Sequence, residues 1–385
     1  MLILFWICTA LIFYTYLGYP AVLYIFPRLF AQKVHKSPME PTVSVILSAF
    51  NEERNIERKL LNLLNLDYPE AKIEILVGSD GAVDQTDAIV SKFRSPRVRL
   101  FQFVTNRGKP TVLNDLVREA QGEILLFTDA RQDFERDAVR MLVENFSDPK
   151  VGCVSGELHF EEGGAEAIGR GMNAYWEYEK FLRKKEAEIG SMLGATGAIY
   201  AARRHLYSDL PADMLVDDMY VPFSIINKGY RAVFESRARA YDRVSTRGKE
   251  EFKRKVRTLA GNYQIFQIFP GLFNPFKSPV AVQLFSHKFL RLAVPFFLAG
   301  VFVSNIFLLD PFFYKLIFIA QTAFYGLALI EALNDKLEQV RERRGGWRKA
   351  GYMAYTFCLL NYAAVVALIQ FLRRKQKITW EKAYV

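Results

Sequence analysis

The chain has 385 residues, of which 51% are hydrophobic and 14% aromatic, and it carries a formal net charge of +10. It is too apolar for a wholly soluble enzyme and too charged for a protein made only of membrane spans, so a soluble domain joined to spans is predicted. The basic surplus suits anionic lipid head groups and phosphorylated ligands. No zinc-finger or RNA-binding signature appears, so no nucleic-acid partner is expected. Three scattered cysteines, Cys8, Cys153 and Cys358, argue against a disulfide framework and a structural zinc site.

The N-terminal segment predicts a membrane anchor. Residues Leu2 to Phe26 contain no charged side chain, and this run is long enough to cross a hydrocarbon core of about 30 Å. A cleaved signal peptide would need a basic start and a small-residue cleavage site, and neither is present. We therefore expect an uncleaved anchor over residues 1–30. The basic residues Arg28, Lys33 and Lys36 then place its following end in the cytoplasm.

The middle of the chain, residues 41–261, alternates β-rich apolar runs with amphipathic helical segments. This alternation predicts an α/β domain whose parallel sheet is covered on both faces. The predicted strands are Thr42–Phe50, Lys72–Asp80, Val98–Val104 and Glu123–Asp129. Ligands of such sheets bind beyond the carboxyl ends of the strands, so the residues after each strand are read as one site. These residues are Ala49, Asn51, Glu52, Asp80, Lys109, Asp129 and Arg131.

The residue types at these strand ends suit a nucleoside diphosphate. Asp80, in a Gly-containing turn, can accept hydrogen bonds from a base or ribose, and Lys109 opens a helix where a cation adds to free amides. Asp129 can reach a divalent metal or the ribose. Taken singly, Asp80 is also an ordinary turn residue and Lys109 a solvated charge. Because no GxGxxG motif occurs, a dinucleotide site is a weak alternative.

The pair Asp217 and Asp218 precedes an apolar helix. One interpretation is a helix N-cap with a second charge that compensates the helix dipole. The other is a general base that takes a proton from a sugar hydroxyl. The residues alone leave both open.

Seven segments together resemble the motifs of the membrane-bound, inverting family 2 glycosyltransferases, of the cellulose and poly-N-acetylglucosamine synthase-like group. The resemblance covers roughly residues 41–264 and extends to the flanking spans. In chain order the segments are VSVILSAFNEE, VGSDGAVDQT, RGKPTVLN, FTDARQDF, ATGAIYA, VDD and RKVRTLAG.

The resemblance implies a GT-A (Rossmann-like) nucleotide-sugar-binding fold and a set of roles. Asp218 is implied as the catalytic base and Arg257 as a catalytic cation. The donor nucleotide is expected at the strand-end residues above, and less surely at Asp84, with Asn114 in the lysine segment. Asp129 is expected to bind a divalent cation, Mg²⁺ or Mn²⁺. The sugar and acceptor residues are expected to be Gly156, Thr196, Gly197, Asp217 and Arg254.

Two positions depart from the family pattern. Arg131 stands where the family has the second carboxylate of Asp-x-Asp. Metal dependence is therefore open: either Asp129 and the diphosphate hold a metal ion, or Arg131 supplies the positive charge directly. At the family's Gln-x-x-Arg-Trp, Arg254 replaces the glutamine and Thr258 the tryptophan. The missing tryptophan weakens a processive polymerase and favours transfer of one or a few sugars.

The function implied is transfer of a sugar from a nucleotide donor, with a UDP-sugar as first choice, to a lipid-linked or polysaccharide acceptor in cell-envelope or exopolysaccharide synthesis. The alternatives are a processive polysaccharide synthase and a nucleotide-sugar-binding pseudoenzyme that regulates a partner synthase. The protein is expected in the inner or plasma membrane, in contact with its lipids, with the catalytic domain cytoplasmic. An oligomer is possible.

The C-terminal third predicts further membrane segments over residues 289–372, at Phe289–Leu309, Phe312–Ala332 and Tyr352–Leu372. Residues 262–288 are aromatic and broken by proline, which fits an interfacial segment or, equally, a buried core helix. A basic loop, Asp335 to Lys349, and a basic tail, residues 373–385, should both face the cytoplasm. Three spans cannot achieve this with a cytoplasmic domain, so either one run is re-entrant or the tail departs from the rule.

Overall fold

In the computed structural model, residues 1–161, 167–243, 248–336 and 346–374 are described. The basic residues predicted between 337 and 345 and beyond 374 lie outside these ranges. The strands of the described chain are β1 Val43–Ala49, β2 Ile73–Asp80, β3 Val98–Phe103, β4 Ile124–Thr128, β5 Asp133–Phe134, β6 Val151–Glu161, β7 Tyr200–Arg203 and β8 Arg231–Arg243.

The strands of the described ranges form one sheet in the order β3-β2-β1-β4-β7-β6-β8-β5. The first four pair in parallel, with Ile46 opposite both Leu76 and Phe127. Every residue of β1 is buried, as expected for a strand covered on both faces. The four predicted strands are confirmed, but the parallel sheet is only half of the structure. β7 runs antiparallel to β4 and β6, because a long excursion between β6 and β7 returns the chain in the opposite direction.

The helices run between these strands and beyond them. They are α1 Leu2–Phe13, α2 Tyr19–Ile25, α3 Pro27–Phe30, α4 Ile56–Leu64, α5 Thr86–Ser91, α6 Lys109–Glu119, α7 Ala138–Val143, α8 Ala167–Ile189, α9 Asp217–Asn227, α10 Gly248–Ile268, α11 Ala281–Gln283, α12 Leu290–Ile306, α13 Phe312–Lys336 and α14 Gly346–Leu372. Short π-helical turns, Tyr14–Gly18 and Leu284–Phe289, make α1 continuous with α2 and α11 with α12.

Two apolar cores lie on opposite faces of the sheet. Helices α4, α5 and α7 supply one of them. Helices α6, α9 and α10 supply the other, which also includes Ala363 and Ala367 of α14. The second core is therefore shared between the α/β domain and the C-terminal helices, and it lies behind the predicted site.

Four helical stretches of the described chain are long and apolar enough to cross a membrane: Leu2–Phe30, Ala281–Ile306, Phe312–Asn334 and Ala350–Leu372. α1 packs along α12, where Phe5 and Cys8 contact Val301. The second stretch begins earlier than predicted, since α11 continues into α12.

The α/β domain is joined to these stretches by a buried ionic cluster. His287 lies 2.7 Å from Glu186 and 3.3 Å from Glu179, both on α8. Arg291 also ion-pairs with Glu179, and the hydroxyl of Tyr19 donates to Glu186 at 2.8 Å. Each carboxylate thus has cationic or hydrogen-bonding partners, as buried charges require. The cluster fixes α8 against α2 and the start of α12.

The boundary predicted between residues 261 and 262 falls inside α10. Beyond α10, the rest of the segment 262–288, which was predicted to be either interfacial or buried, contains both buried and exposed apolar residues. Leu272 is buried in the second core, whereas Phe276 is 97% exposed.

Candidate active site

Lys109 lies at the centre of the site. Glycine at position 108, with φ 89°, turns the chain so that Lys109 begins α6. Its Nζ atom is 2.9 Å from Oδ1 of Asp129, directly after β4, and 3.1 Å from Oδ1 of Asp217, in the first turn of α9. Side chains from three separate parts of the sequence therefore meet at the carboxyl ends of the parallel strands.

The charges of this group support each other. Burial alone would lower the pKa of Lys109, but Asp129, Asp217 and Asp218 outweigh it, so its pKa is raised. Burial alone would raise the pKa of Asp129, and the charge and hydrogen bond of Lys109, with Arg131 and Lys59, hold it below its usual value. Lys109 is therefore a cation and Asp129 an anion at neutral pH.

Asp218 has the properties of an accessible base. Its Oδ2 accepts the backbone N–H of Gly197 at 3.2 Å. Burial, and then the negative charge of Asp217, raise its pKa to about 6. The N-cap of α9 is Val216, so neither aspartate caps the helix, but both lie within its first turn, where a negative charge compensates the helix dipole. Asp217 is occupied by Lys109 and by the Tyr200 hydroxyl, which donates to it at 3.2 Å.

Gly197 lies between the two carboxylates of the site. A methyl group at this position would lie 3.5 Å from Oδ2 of Asp218 and 3.8 Å from Oδ2 of Asp129. The preceding residue, Thr196, is buried, and its N–H donates to Ser155 at 3.1 Å. The predicted segment therefore reaches the site through the backbone of Gly197.

Two predicted ligand residues face the protein instead of the open site. Asp80 is fully buried, and its two oxygens accept the N–H groups of Arg107 and Gly108, each at 2.8 Å. It holds the loop that presents Lys109, and its contact with a nucleoside stays a prediction. Gly156 is required by strand packing, because a Cβ there would lie 2.5 Å from the carbonyl oxygen of Ala238.

The loop after β1 forms one wall of the site. Ala49 is buried at the end of the strand, and Asn51 has the left-handed φ of 55° while its Oδ1 accepts the N–H of Val83 at 2.9 Å. The N–H of Glu52 donates to Thr86, which also donates to Asp84 at 2.6 Å. Loops after β1 and β2 are thereby tied together at the same edge. Asn114 is turned away and holds Leu210.

Arg131 lies close enough to Asp129 for its charge to lower the pKa of that carboxyl group. Its guanidinium is 4.0 Å from Asp242 of β8. Beneath the turn lies Lys59, a residue that the sequence analysis missed. It is fully buried, donates to the carbonyl of Gln132 at 2.6 Å, and has its pKa lowered to about 7 by burial. A lysine on an amphipathic helix gives no sequence signal of burial.

Helix α10 brings the predicted arginines near the acidic pair. A Cβ on Gly261 would lie 2.3 Å from Val216, the residue before Asp217, so the side chain of Val216 packs directly on the backbone of α10 here. Arg257 is one turn earlier on the same face, and its buried Nε makes no hydrogen bond to the described residues. Arg254 is exposed, 6.0 Å from the ring of Trp176. A second missed residue, Arg183 of α8, lowers the pKa of Asp218 by its charge.

Residues 44–210, which run from β1 to β7 and contain the site residues Lys109, Asp129 and Gly197, match the model of the family described as Glycosyl transferase family 2. Residues 44–210 therefore form a glycosyltransferase family 2 domain. This confirms the resemblance found in the sequence.

The family 2 domain has relatives among characterised synthases. The poly-beta-1,6-N-acetyl-D-glucosamine synthase of Staphylococcus aureus (strain COL) is 26% identical over 231 residues, 58% of this chain and 55% of that protein. The synthase of the same name from Staphylococcus epidermidis is 26% identical over 250 residues, 62% of this chain and 59% of that protein. The chain thus spans little more than half the length of these relatives.

A solved structure shows the same fold. The mannosyltransferase PcManGT from Pyrobaculum calidifontis, in complex with GDP-Man and Mn²⁺, aligns with 97% of this chain and 100% of its own, with a TM-score of 0.73 and 23% identity. The predicted GT-A fold with flanking apolar helices is confirmed.

Proposed function

We propose that the chain is a membrane-embedded inverting glycosyltransferase that transfers a sugar from a nucleoside-diphosphate donor to a hydroxyl of a lipid-linked or polysaccharide acceptor, in cell-envelope or exopolysaccharide synthesis. The observation that carries this proposal is the convergence of Lys109, Asp129, Asp217 and Asp218 at one edge of a family 2 domain.

The proposed reaction is a single displacement. Asp218, with its raised pKa and its carboxylate at the site, accepts the proton of the acceptor hydroxyl as the oxygen attacks the anomeric carbon. The bond to the diphosphate breaks, and Lys109 and Arg257 offset the charge that develops on the leaving group. Because Gly197 has no side chain, no methyl group stands against the two carboxylates where the sugar is proposed to bind.

A divalent cation, Mg²⁺ or Mn²⁺, is proposed at Asp129. Oδ1 of Asp129 is paired with Lys109, while Oδ2 faces Gly197 and is the atom placed to hold a cation. No group of three or more potential ligands occurs among the described residues. One carboxylate together with donor phosphates and water is a usual set for Mg²⁺, so the residues fit a cation bound with the donor. The cation would stabilise the charge of the departing diphosphate.

Processive synthesis of a poly-N-acetylhexosamine is a second candidate, because the curated relatives carry that name. Thr258, in place of the family tryptophan, counts against it. Asp218 and Lys109 are both present and both lie at the site, which counts against a pseudoenzyme.

The test is a donor screen on the purified full-length protein. UDP-GlcNAc, GDP-mannose and other UDP-, GDP- and dTDP-sugars are supplied with native membranes as acceptor, with and without EDTA, and release of nucleoside diphosphate is measured. We expect release with one donor class, and loss of release in EDTA. Product size separates single transfer from polymer. Binding of nucleotide without release from any donor would favour the pseudoenzyme.

Asp218→Asn is the companion variant. Because the amide cannot accept the proton, we expect turnover to fall by about 10²–10⁴-fold while nucleotide affinity stays nearly unchanged. Asp213→Asn, an exposed aspartate in the loop before α9, is the matched control. An Asp218→Asn protein that turns over at the parental rate rules out this role.

A further inference from the structure

Helix α14 has the length and hydropathy of a membrane span, and its two halves pack on different helices, the first on α13 and the second on α10. Contacts among the other apolar helices define the two ends of the helix bundle, and α14 can be placed relative to them. Phe5 and Tyr314 pack at 5.2 Å and mark one end of the bundle of α1, α12 and α13. Tyr19 and His287 pack at 6.4 Å and mark the opposite end, where the ionic cluster joins the α/β domain. We call this second end the domain end.

The first half of α14 begins at the domain end. Gly351 lies so close to Glu331, near the end of α13, that a Cβ there would be 2.9 Å from its side chain. Phe357 packs on Phe324 of α13 at 5.8 Å and on Tyr16 at 5.5 Å. Tyr16 is one turn from Tyr19, while Phe324 is seven residues before Glu331, so the stretch of α14 from Gly351 to Phe357 follows the end of α13 in the antiparallel direction.

The second half of α14 runs beside α10. Tyr362 stacks on Phe252 at 5.7 Å, and Phe371 stacks on Tyr263 at 5.5 Å. The two contacts are nine residues apart on α14 and eleven residues apart on α10, which correspond to about 13 Å and about 16 Å along the helix axes. Because these separations are similar and run in the same direction, the two helices are nearly parallel. Ala363 and Ala367 of α14 are fully buried in the domain core.

The far end of α14 also returns to the domain end. Tyr263 contacts Phe266 at 6.2 Å, and Phe266 contacts Phe289, at the start of α12, at 6.3 Å. A helix that crossed the bilayer would separate its ends by about 30 Å and bring its last turns beside Phe5 and Tyr314. Both ends of α14 lie instead near the same end of α12 and α13.

We propose that α14 is an interfacial helix that lies on the lipid surface of the membrane side facing the α/β domain, so that the chain crosses the bilayer three times. Its partner is the bilayer itself, because Met353, Ile369 and Leu372 are exposed apolar side chains on a helix continuous with the membrane bundle. The exposed Arg373 and Arg374 follow, where they meet anionic head groups. The end of α13, at residue 336, and the described chain after α14, to residue 374, then lie on the domain side, which removes the conflict in the sequence.

The test is cysteine labelling of the full-length chain and is independent of the proposed function, because it requires no activity. Cys8, Cys153 and Cys358 are replaced by alanine, and single cysteines are introduced as Arg374→Cys after α14, Lys92→Cys in the α/β domain and Asp310→Cys in the α12–α13 turn. A membrane-impermeant maleimide is applied to sealed inverted and right-side-out vesicles. We expect the cysteine at position 374 to be labelled in the same vesicles as that at 92, and that at 310 in the opposite ones.

Labelling of positions 374 and 310 in the same vesicles would overturn the proposal. As a second measurement that keeps the native cysteines, green fluorescent protein is fused after Val385 and expressed in a bacterial host. Fluorescence supports a tail on the cytoplasmic side with the domain. A dark fusion, together with an active alkaline phosphatase fusion at the same position, means that α14 crosses.

Discussion

At the scale of single residues, the site depends on one lysine that bridges two carboxylates. Lys109 contacts Asp129 and Asp217, which leaves Asp218 as the acidic group without an ion pair among the described residues. The two neighbouring aspartates thus differ in their surroundings: Asp217 is paired with a cation, whereas Asp218 has a raised pKa. This separation is what a general base next to a phosphate-binding cation requires.

The pH dependence of transfer should report Asp218. Since its pKa is raised to about 6, kcat/KM is expected to fall about tenfold per pH unit below that value, as the base becomes protonated. Asp217→Asn removes the like charge that raises the pKa and frees Lys109 to act on Asp218, so the midpoint should move to lower pH. Asp213→Asn should leave it in place. A midpoint in Asp217→Asn that stays or rises contradicts this coupling.

The Arg131→Asp variant tests the cation. It restores the second carboxylate beside Asp129, so the Mn²⁺ concentration that gives half-maximal activity should fall severalfold. Arg136→Asp makes the same charge change on the neighbouring exposed surface and serves as control. If the half-maximal Mn²⁺ concentration shifts equally in both variants, the effect comes from the overall change of charge and not from a cation site at Asp129.

Strand-end reasoning predicts the meeting of Lys109 and Asp129, because both follow parallel strands of one sheet. It could not predict that Asp80 accepts the amides of Arg107 and Gly108, since backbone donors from a loop 27 residues later leave no trace in residue type. Gly156 was similarly ambiguous, because strand packing and sugar contact both require a small residue.

At the scale of elements, the contact between α10 and the turn before α9 controls where Arg257 lies. Gly261→Ala would place its methyl group 2.3 Å from Val216 and push α10 outwards. We expect a loss of about 1–3 kcal/mol in the free energy of unfolding, together with reduced transfer. Thermal unfolding and nucleotide release measure both effects.

Gly271→Ala is the control for this variant, because an added methyl group there meets nothing within 4 Å. If Gly261→Ala is as stable and as active as Gly271→Ala, the close contact does not position α10.

At the scale of the whole molecule, α14 completes the domain core. A chain ending at Lys336 keeps α1, α12 and α13 but loses Ala363, Ala367 and the ring contacts to α10, so it should reach the membrane without transferring sugar. A chain ending at Arg374 should keep at least half of the activity. Membrane fractionation and the release assay measure the two properties. Full activity in the chain ending at Lys336 would show that α10 does not need the packing of α14 to support transfer.

The fold was predictable where local patterns decide it. Four strands and their helices follow from periodicity, but the order of β5 to β8 depends on contacts distant in sequence. The role of α14 was hidden because an apolar helix reads the same on a lipid surface, in a protein core or across a bilayer. Only the contacts of α14 with Phe252 and Tyr263 of α10 distinguish these three environments.

The direct packing of Phe5 and Cys8 on Val301 bears on the fate of the product. Helices that touch along their length leave no aqueous route between them, and three such helices are too few to surround a hydrated polymer. A glycan built by one copy would therefore stay on the leaflet where it was made. Export would fall to a separate flippase or to a pore assembled from several subunits.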